Sequence, residues 1–131
     1  MMKISAIAAL CLTATVWLVS CNPLSDRAKE IAGTYYEPSV SETTPAMELN
    51  PDGTCTIRAI LPGVLTYAIK GTWNVLSDTL IVESDGVPVE ITGDSTLIGH
   101  TATRLARPVS DFNGAQLTLK LHHGDIIYVR R

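Results

Sequence analysis

The stretch Thr54-Cys55-Thr56-Ile57-Arg58-Ala59-Ile60-Leu61-Pro62-Gly63-Val64-Leu65-Thr66-Tyr67-Ala68-Ile69-Lys70 reads as two strands and the turn between them. Cys55, Ile57, Ala59 and Leu61 fall on one side of the first run, with Thr54, Thr56 and Arg58 on the other. In the second run Leu65, Tyr67 and Ile69 oppose Thr66, Ala68 and Lys70. Successive side chains of a strand point to opposite faces, so a period of two with one apolar side predicts half-buried strands. One apolar and one polar face is the pattern of an antiparallel sheet. Just upstream, Asn50-Pro51-Asp52-Gly53 suits a tight turn, because proline fixes one φ and glycine supplies a positive one.

The pattern continues outward. Leu80 and Val82 alternate with Thr79 and Glu83, although Ile81 breaks the rhythm. Val87, Val89 and Ile91 alternate with Pro88, Glu90 and Thr92, and Ala115, Leu117, Leu119 and Leu121 with Gln116, Thr118 and Lys120. Turn signals recur at Ser77-Asp78, Asp85-Gly86, Gly93-Asp94, Asn113-Gly114 and Gly124-Asp125. Between Thr101 and Phe112 the alternation fails around Arg104, Arg107 and Pro108. That segment reads as a strand to Ala106 and then a longer loop. Ahead of the strands, Ser25 to Ala32 reads as a short helix, with Ser25 as N-cap, Asp26 in the first turn and Gly33 as a left-handed stop. So short a helix needs tertiary packing, and the expectation is that it covers an end of the sheet structure. Roughly eight or nine short strands in one small domain predict a small antiparallel up-and-down β-barrel, which closes on itself and leaves no exposed edges; a two-sheet sandwich is the competing solution.

The N-terminus has a different character. Met1-Met2-Lys3 precedes an apolar run from Ile4 to Val19, too short for an ordinary membrane span and placed where a secretory signal belongs. It ends in Leu18-Val19-Ser20-Cys21, which resembles the lipobox of bacterial lipoproteins. The resemblance implies removal of residues 1–20 as a signal peptide, lipid on Cys21, and residues 21–131 as the mature barrel domain. Acyl chains there contribute about 0.8 kcal/mol per buried methylene, and more than one chain gives stable membrane anchoring. Asn22 follows the cysteine, where many inner-membrane lipoproteins carry aspartate. The expectation is therefore the outer membrane, facing the periplasm. Only Asn22-Pro23-Leu24 separates the anchor from the helix, so the domain should sit close to the membrane.

The chain has 10 Lys and Arg against 13 Asp and Glu, a formal charge of −3, and no basic stripe, which argues against nucleic acid as a partner. Of its 3 cysteines, Cys11 leaves with the signal and Cys21 carries lipid. Cys55 remains alone, excluding an internal disulfide in the mature chain.

Two stretches carry a further resemblance. Ile31-Ala32-Gly33-Thr34-Tyr35-Tyr36 resembles the Gly-x-Trp opening of lipocalin barrels, with Tyr35 in the tryptophan's place. Met47-Glu48-Leu49-Asn50-Pro51-Asp52-Gly53-Thr54-Cys55-Thr56-Ile57, followed by Lys70-Gly71-Thr72-Trp73-Asn74-Val75 and Asp78-Thr79-Leu80-Ile81-Val82, is similar to the lipocalin-like domains of Bacteroidota lipoproteins. Related patterns occur in the barrel of the copper-stress lipoprotein family, whose Cys-x-x-Cys pair is absent here. The resemblance covers residues 31–85 and implies a lipocalin-like barrel. At this shortened length the interior is open or filled by side chains.

No catalytic or metal motif stands out. His122 and His123 are adjacent, and on a regular strand they would face opposite ways. Cys55 lies on an apolar strand face, where a buried, inert thiol is expected. His100, Asp111 and a serine lack a nucleophile elbow. The sequence thus predicts a non-enzyme without cofactor or metal. Tyr35, Tyr67 and Trp73 are candidate linings of a ligand pocket, with core and plug positions as the alternative. Tyr36 and Tyr128 should face the other way or a rim. Two functions compete: a protein-interaction or envelope-assembly module, marked by an exposed apolar patch including Ile81 or Phe112, and a binder of a small apolar ligand in the barrel.

Overall fold

Ser25 opens the first helix in the way its chemistry suggests. Its hydroxyl accepts from Ala28 N at 3.1 Å, capping helix α1 (Asp26–Ile31), and donates to the carbonyl of Val75 at 2.6 Å. The computed structural model describes residues 23–131. The signal segment and Cys21 lie outside the described residues. Ala28 and Ile31 of α1 are wholly buried, and Leu24 is nearly so. The helix therefore survives at six residues because its apolar side is packed, not through its own hydrogen bonds.

The strands are β1 (Gly33–Tyr36), β2 (Met47–Leu49), β3 (Thr54–Leu61), β4 (Leu65–Leu76), β5 (Thr79–Ser84), β6 (Val89–Gly93), β7 (Arg104–Phe112), β8 (Gln116–Leu121) and β9 (Gly124–Arg130). Eight of these nine close an antiparallel up-and-down barrel in the order β4-β3-β2-β1-β9-β8-β7-β5 and back to β4. The seam that unites the two ends of the sequence is β1 against β9, with Tyr35 opposite Arg130. Of the inward rows expected from alternation, Cys55, Leu80, Val82, Leu117 and Leu119 are buried in the core, where Trp73 and Val75 join them.

The lower end is shut. Tyr35 is fully buried and donates its hydroxyl to the carbonyl of Ile31, tying β1 to the end of α1. Trp73 donates its indole N–H to the carbonyl of Asn50 at 2.8 Å. Arg130 donates to the carbonyls of Glu30 and Ala32 at 2.9 and 3.2 Å, satisfying groups that the helix end leaves orphaned. Its guanidinium carbon lies 5.1 Å from the centre of the Phe112 ring, and that of Arg27 lies 5.7 Å from it.

Beyond the upper end, β3 and β4 continue as a projecting hairpin. β4 spans 12 residues, about 40 Å at the usual rise. Its lower half pairs with β5 and its upper half with β6, the ninth strand, whose one partner among the described strands is β4. The result is a three-stranded finger standing over the opening.

Several expectations need correction. Val87, Val89 and Ile91 alternate but cover no core: β6 runs along the finger, and Val87 and Ile91 are about half exposed. β7 does not stop at Ala106 but runs to Phe112. Pro108 fits because it stands where β7 changes partners: its last pair with β5 is Thr79↔Pro108, and its first with β8 is Val109↔Leu119. The alternation is then broken by a register shift between Val109 and Asp111, not by a loop. The β8–β9 turn is His122-His123, with Gly124 already paired to Leu121. Gly33 is not a helix stop. It is the first residue of β1, where a Cβ would meet Arg130 Cδ at 2.6 Å.

Candidate functional site

The same strands that shut the lower end part from one another above. On β7, residues 104–108 pair with β5 and residues 109–112 with β8, so the upper halves of β7 and β8 separate. A cleft of about 280 Å³ lies between them, lined by Ala106, Arg107, Pro108, Lys120, Leu121 and His122. Inside this gap the barrel interior opens into a cavity of about 270 Å³. Its walls are the inward side chains of the upper barrel: Met47, Ile57, Leu80, Val82, Leu105 and Leu119. Glu37, Arg58, Arg107 and Tyr128 add polar groups. A second hollow of about 180 Å³ adjoins it beneath the finger, sharing Ile57, Arg58, Val82 and Leu105 and reaching Tyr67 and the 100–104 segment. An apolar hollow with a few convergent polar groups is the usual form of a small-molecule site, though each compartment here is at or below the small end of the common range.

The electrostatics differ from one polar group to the next. Arg58 is already committed: it pairs with Glu48 and lies 3.6 Å from Glu90, which Lys70 holds at 2.9 Å. The Lys70 ammonium keeps the Glu90 carboxyl below its ordinary range. Tyr128 shares its face with Leu117 and so points inward. Burial, then the negative charge of Glu37, pushes its hydroxyl up to about 12, with Arg107 acting in the opposite direction. The phenol is therefore a neutral hydrogen-bond donor at any ordinary pH. Arg107 is half-buried and makes no ion pair among the described residues. Its one acceptor among the described residues is the carbonyl of its neighbour Ala106, at 3.4 Å.

The three candidate lining residues are not brought together. Tyr67 lines the hollow beneath the finger. Tyr35 and Trp73 lie buried in the core of the closed end. Trp73 also borders a separate groove of about 210 Å³ on the outer wall, with Leu24, Leu76, Ile81 and Glu83. Tyr128 faces inward beside Leu117 and lines the interior cavity, contrary to the expectation of the other face or a rim, while Tyr36 lies under the Arg131 guanidinium, 5.1 Å from ring centre to Cζ. Sequence reasoning did not single out Glu37, Arg107 or Tyr128 as pocket residues. The one available signal was arginine at 107 in a stretch of broken alternation, which resembles loop.

Cys55 is buried, and burial pushes its thiol up to about 11, so the thiolate is scarce at neutral pH. His122 and His123 are exposed and form the β8–β9 turn. Neither Ile81 nor Phe112 marks an exposed patch: Ile81 is partly covered, and Phe112 packs against the core. Five exposed apolar side chains lie on and around the finger, at Leu61, Val64, Val87, Ile91 and Leu97, 44–54 % exposed, while Leu76, Leu121 and Ile127 are exposed elsewhere on the barrel. No protein-family model matches the chain, and no curated protein matches it either.

Proposed function

We propose that this chain is a lipid-anchored envelope lipoprotein whose barrel, lipocalin-like in character, binds a small apolar molecule at its open end and performs no catalysis. The observation that carries the binding reading is the apolar cavity of about 270 Å³ behind the parted strands β7 and β8. Anchoring rests on the sequence, where Leu18-Val19-Ser20-Cys21 ends the apolar run. Leu24 packs into the closed end, and two residues separate it from Cys21. A tether of that length spans about 10 Å at most. Lipid on Cys21 would hold the closed end against the membrane and turn the opening away from it. Outer-membrane placement, facing the periplasm, follows from Asn22 beside the anchor.

The test is native mass spectrometry of the protein released from its own membranes. The expected result is a bound small molecule that disappears in Leu119→Phe, a variant that fills the cavity, while the melting temperature stays within a few degrees. A clean unliganded mass, with no uptake of added apolar dyes, would overturn the binding reading. Anchoring is checked separately: Cys21→Ser should move the protein from the membrane to the soluble fraction.

A second reading has its own observation. Leu61, Val64, Ile91 and Leu97 form an exposed apolar group beyond the barrel, as expected of an interaction or envelope-assembly module. Crosslinking through a photoreactive residue at position 97 would capture a specific envelope protein on that reading, and nothing specific on the first.

A further inference from the structure

Arg107 is distinguished by what it lacks. Arg27 pairs with Asp78 at 3.1 Å, Arg58 with Glu48, Arg104 with Glu83 at 3.8 Å and Arg131 with Glu42 at 2.9 Å. Arg130 is occupied by the carbonyls at the end of α1. Arg107 alone among the described arginines has neither a carboxylate nor a distant acceptor. It also stands in an unusual place, bordering both the interior cavity and the cleft between β7 and β8. A half-buried guanidinium has lost part of its hydration, and an anion that meets its planar fork restores the balance. The Tyr128 hydroxyl borders the same cavity and adds a neutral donor.

Glu37 limits what that anion is. It lines the same cavity and is not paired with Arg107 among the described residues. One negative charge brought to Arg107 is compensated there; a second would face Glu37 uncompensated. Behind these groups the walls are aliphatic, and the cavity has the volume of about nine liquid waters. That is room for a medium-length chain, not for a bulky ring system.

We propose that the site receives a monoanionic amphiphile, its carboxylate held by Arg107 with help from the Tyr128 hydroxyl and its alkyl chain laid between Met47, Ile57, Leu80, Val82 and Leu119. This assignment rests on the reading of the open end as a binding site and adds the head group to it. Arg107 acts as the selecting residue. The chain pocket accepts any slim apolar tail, and the guanidinium decides which tails stay.

The experiment uses the full chain in its native membranes and three photoreactive probes with the same ten-carbon diazirine chain: a carboxylate, an alcohol and a trimethylammonium. Adducts are mapped by peptide mass spectrometry. The carboxylate should label the β5 and β8 peptides about tenfold more efficiently than the alcohol, as a charge-assisted bond to a partly buried group implies. The trimethylammonium should label least. Arg107→Gln should reduce carboxylate labelling to the level of the alcohol and leave the alcohol unchanged, which also shows that the variant is folded. Glu37→Gln should raise carboxylate labelling. Equal labelling of the unaltered protein by carboxylate and alcohol would overturn the head-group assignment and leave the binding reading standing. If no probe labels the barrel interior, the binding reading fails and the assignment with it. The head-group comparison on the unaltered protein decides the matter even where a variant fails to fold.

Discussion

At the lower end of the barrel Ile31, Tyr35 and Leu117 are shut off from solvent completely, while at the upper end Leu61, Ile91 and Leu97, no less apolar, stand about half exposed. Both sets are apolar, and most of their residues come from strands of the same alternating type. The difference lies in what is laid against them. Below, α1 covers the strand ends and is fixed there by Ser25, Tyr35 and Arg130. Above, β6 pairs along one edge of β4, where Leu65 and Ala68 are buried but Leu61 and Ile91 are left half exposed, and β7 parts from β8. An apolar face is buried only where another element packs on it.

This contrast can be broken most forcefully at its lower end. Ile31→Ala should destabilise the fold by about 2–5 kcal/mol, because a fully buried side chain is deleted beneath a helix already pinned at several points. Urea unfolding measures the loss; a change under 1 kcal/mol would show that the helix does not hold this end closed.

Alkaline titration probes the buried interior next. The Cys55 thiol is raised to about 11 from an ordinary 9.0, and the Tyr128 hydroxyl to about 12 from 10.0. Both are acids that the folded state keeps protonated for longer than the unfolded state does. Stability is therefore full below pH 9 and falls as pH rises towards 11 for Cys55, and between 10 and 12 for Tyr128. For the thiol the loss is about 2–3 kcal/mol by pH 11. Cys55→Val should flatten the part of the slope that begins at pH 9; an unchanged slope there would remove Cys55 from the explanation.

Ser25→Ala comes third. It removes the cap of α1 and the bond to Val75, at a cost of about 1–2 kcal/mol. Helical signal and global unfolding should be lost together if the helix and barrel form one cooperative unit; a separate early transition of the helix would contradict that. The smallest effect belongs to the finger. Leu97→Ser should change stability by no more than about 0.5 kcal/mol. The amides of Ile91 and Thr92 should exchange with solvent far faster than those of Leu117 and Leu119. Equal protection would mean that the finger is packed by something beyond the strands described.

Legibility in the sequence follows the same divide. The inward rows Leu80/Val82 and Leu117/Leu119 could be read directly, because a strand with one buried face writes its burial into every second residue. Ser25 was readable as a cap because its side chain competes for the backbone locally. The course of β7 was not. Pro108 and the register shift near Ser110 both erase the period, although the strand itself continues. The alternation of Val87 to Ile91 misled in the opposite sense, since a pattern in sequence does not state whether a second layer exists. At the candidate site, Tyr67 could be named as a lining residue because it belongs to a regular row. Arg107 was missed because its meaning depends on which charges fail to reach it, and that is a property of the folded chain alone.

The pairing of Tyr35 with Arg130 also orders events in time. A barrel whose first strand bonds to its ninth has no partial closed form. Until residues 124–130 are free to pair, β1 lacks one of its two neighbours, and Arg130 is absent from the end of α1. A nascent or threading chain would thus remain open and pliable until those residues emerge. Closure then arrives as a late, long-range step, of the kind that makes folding slow for strands joined across most of a sequence.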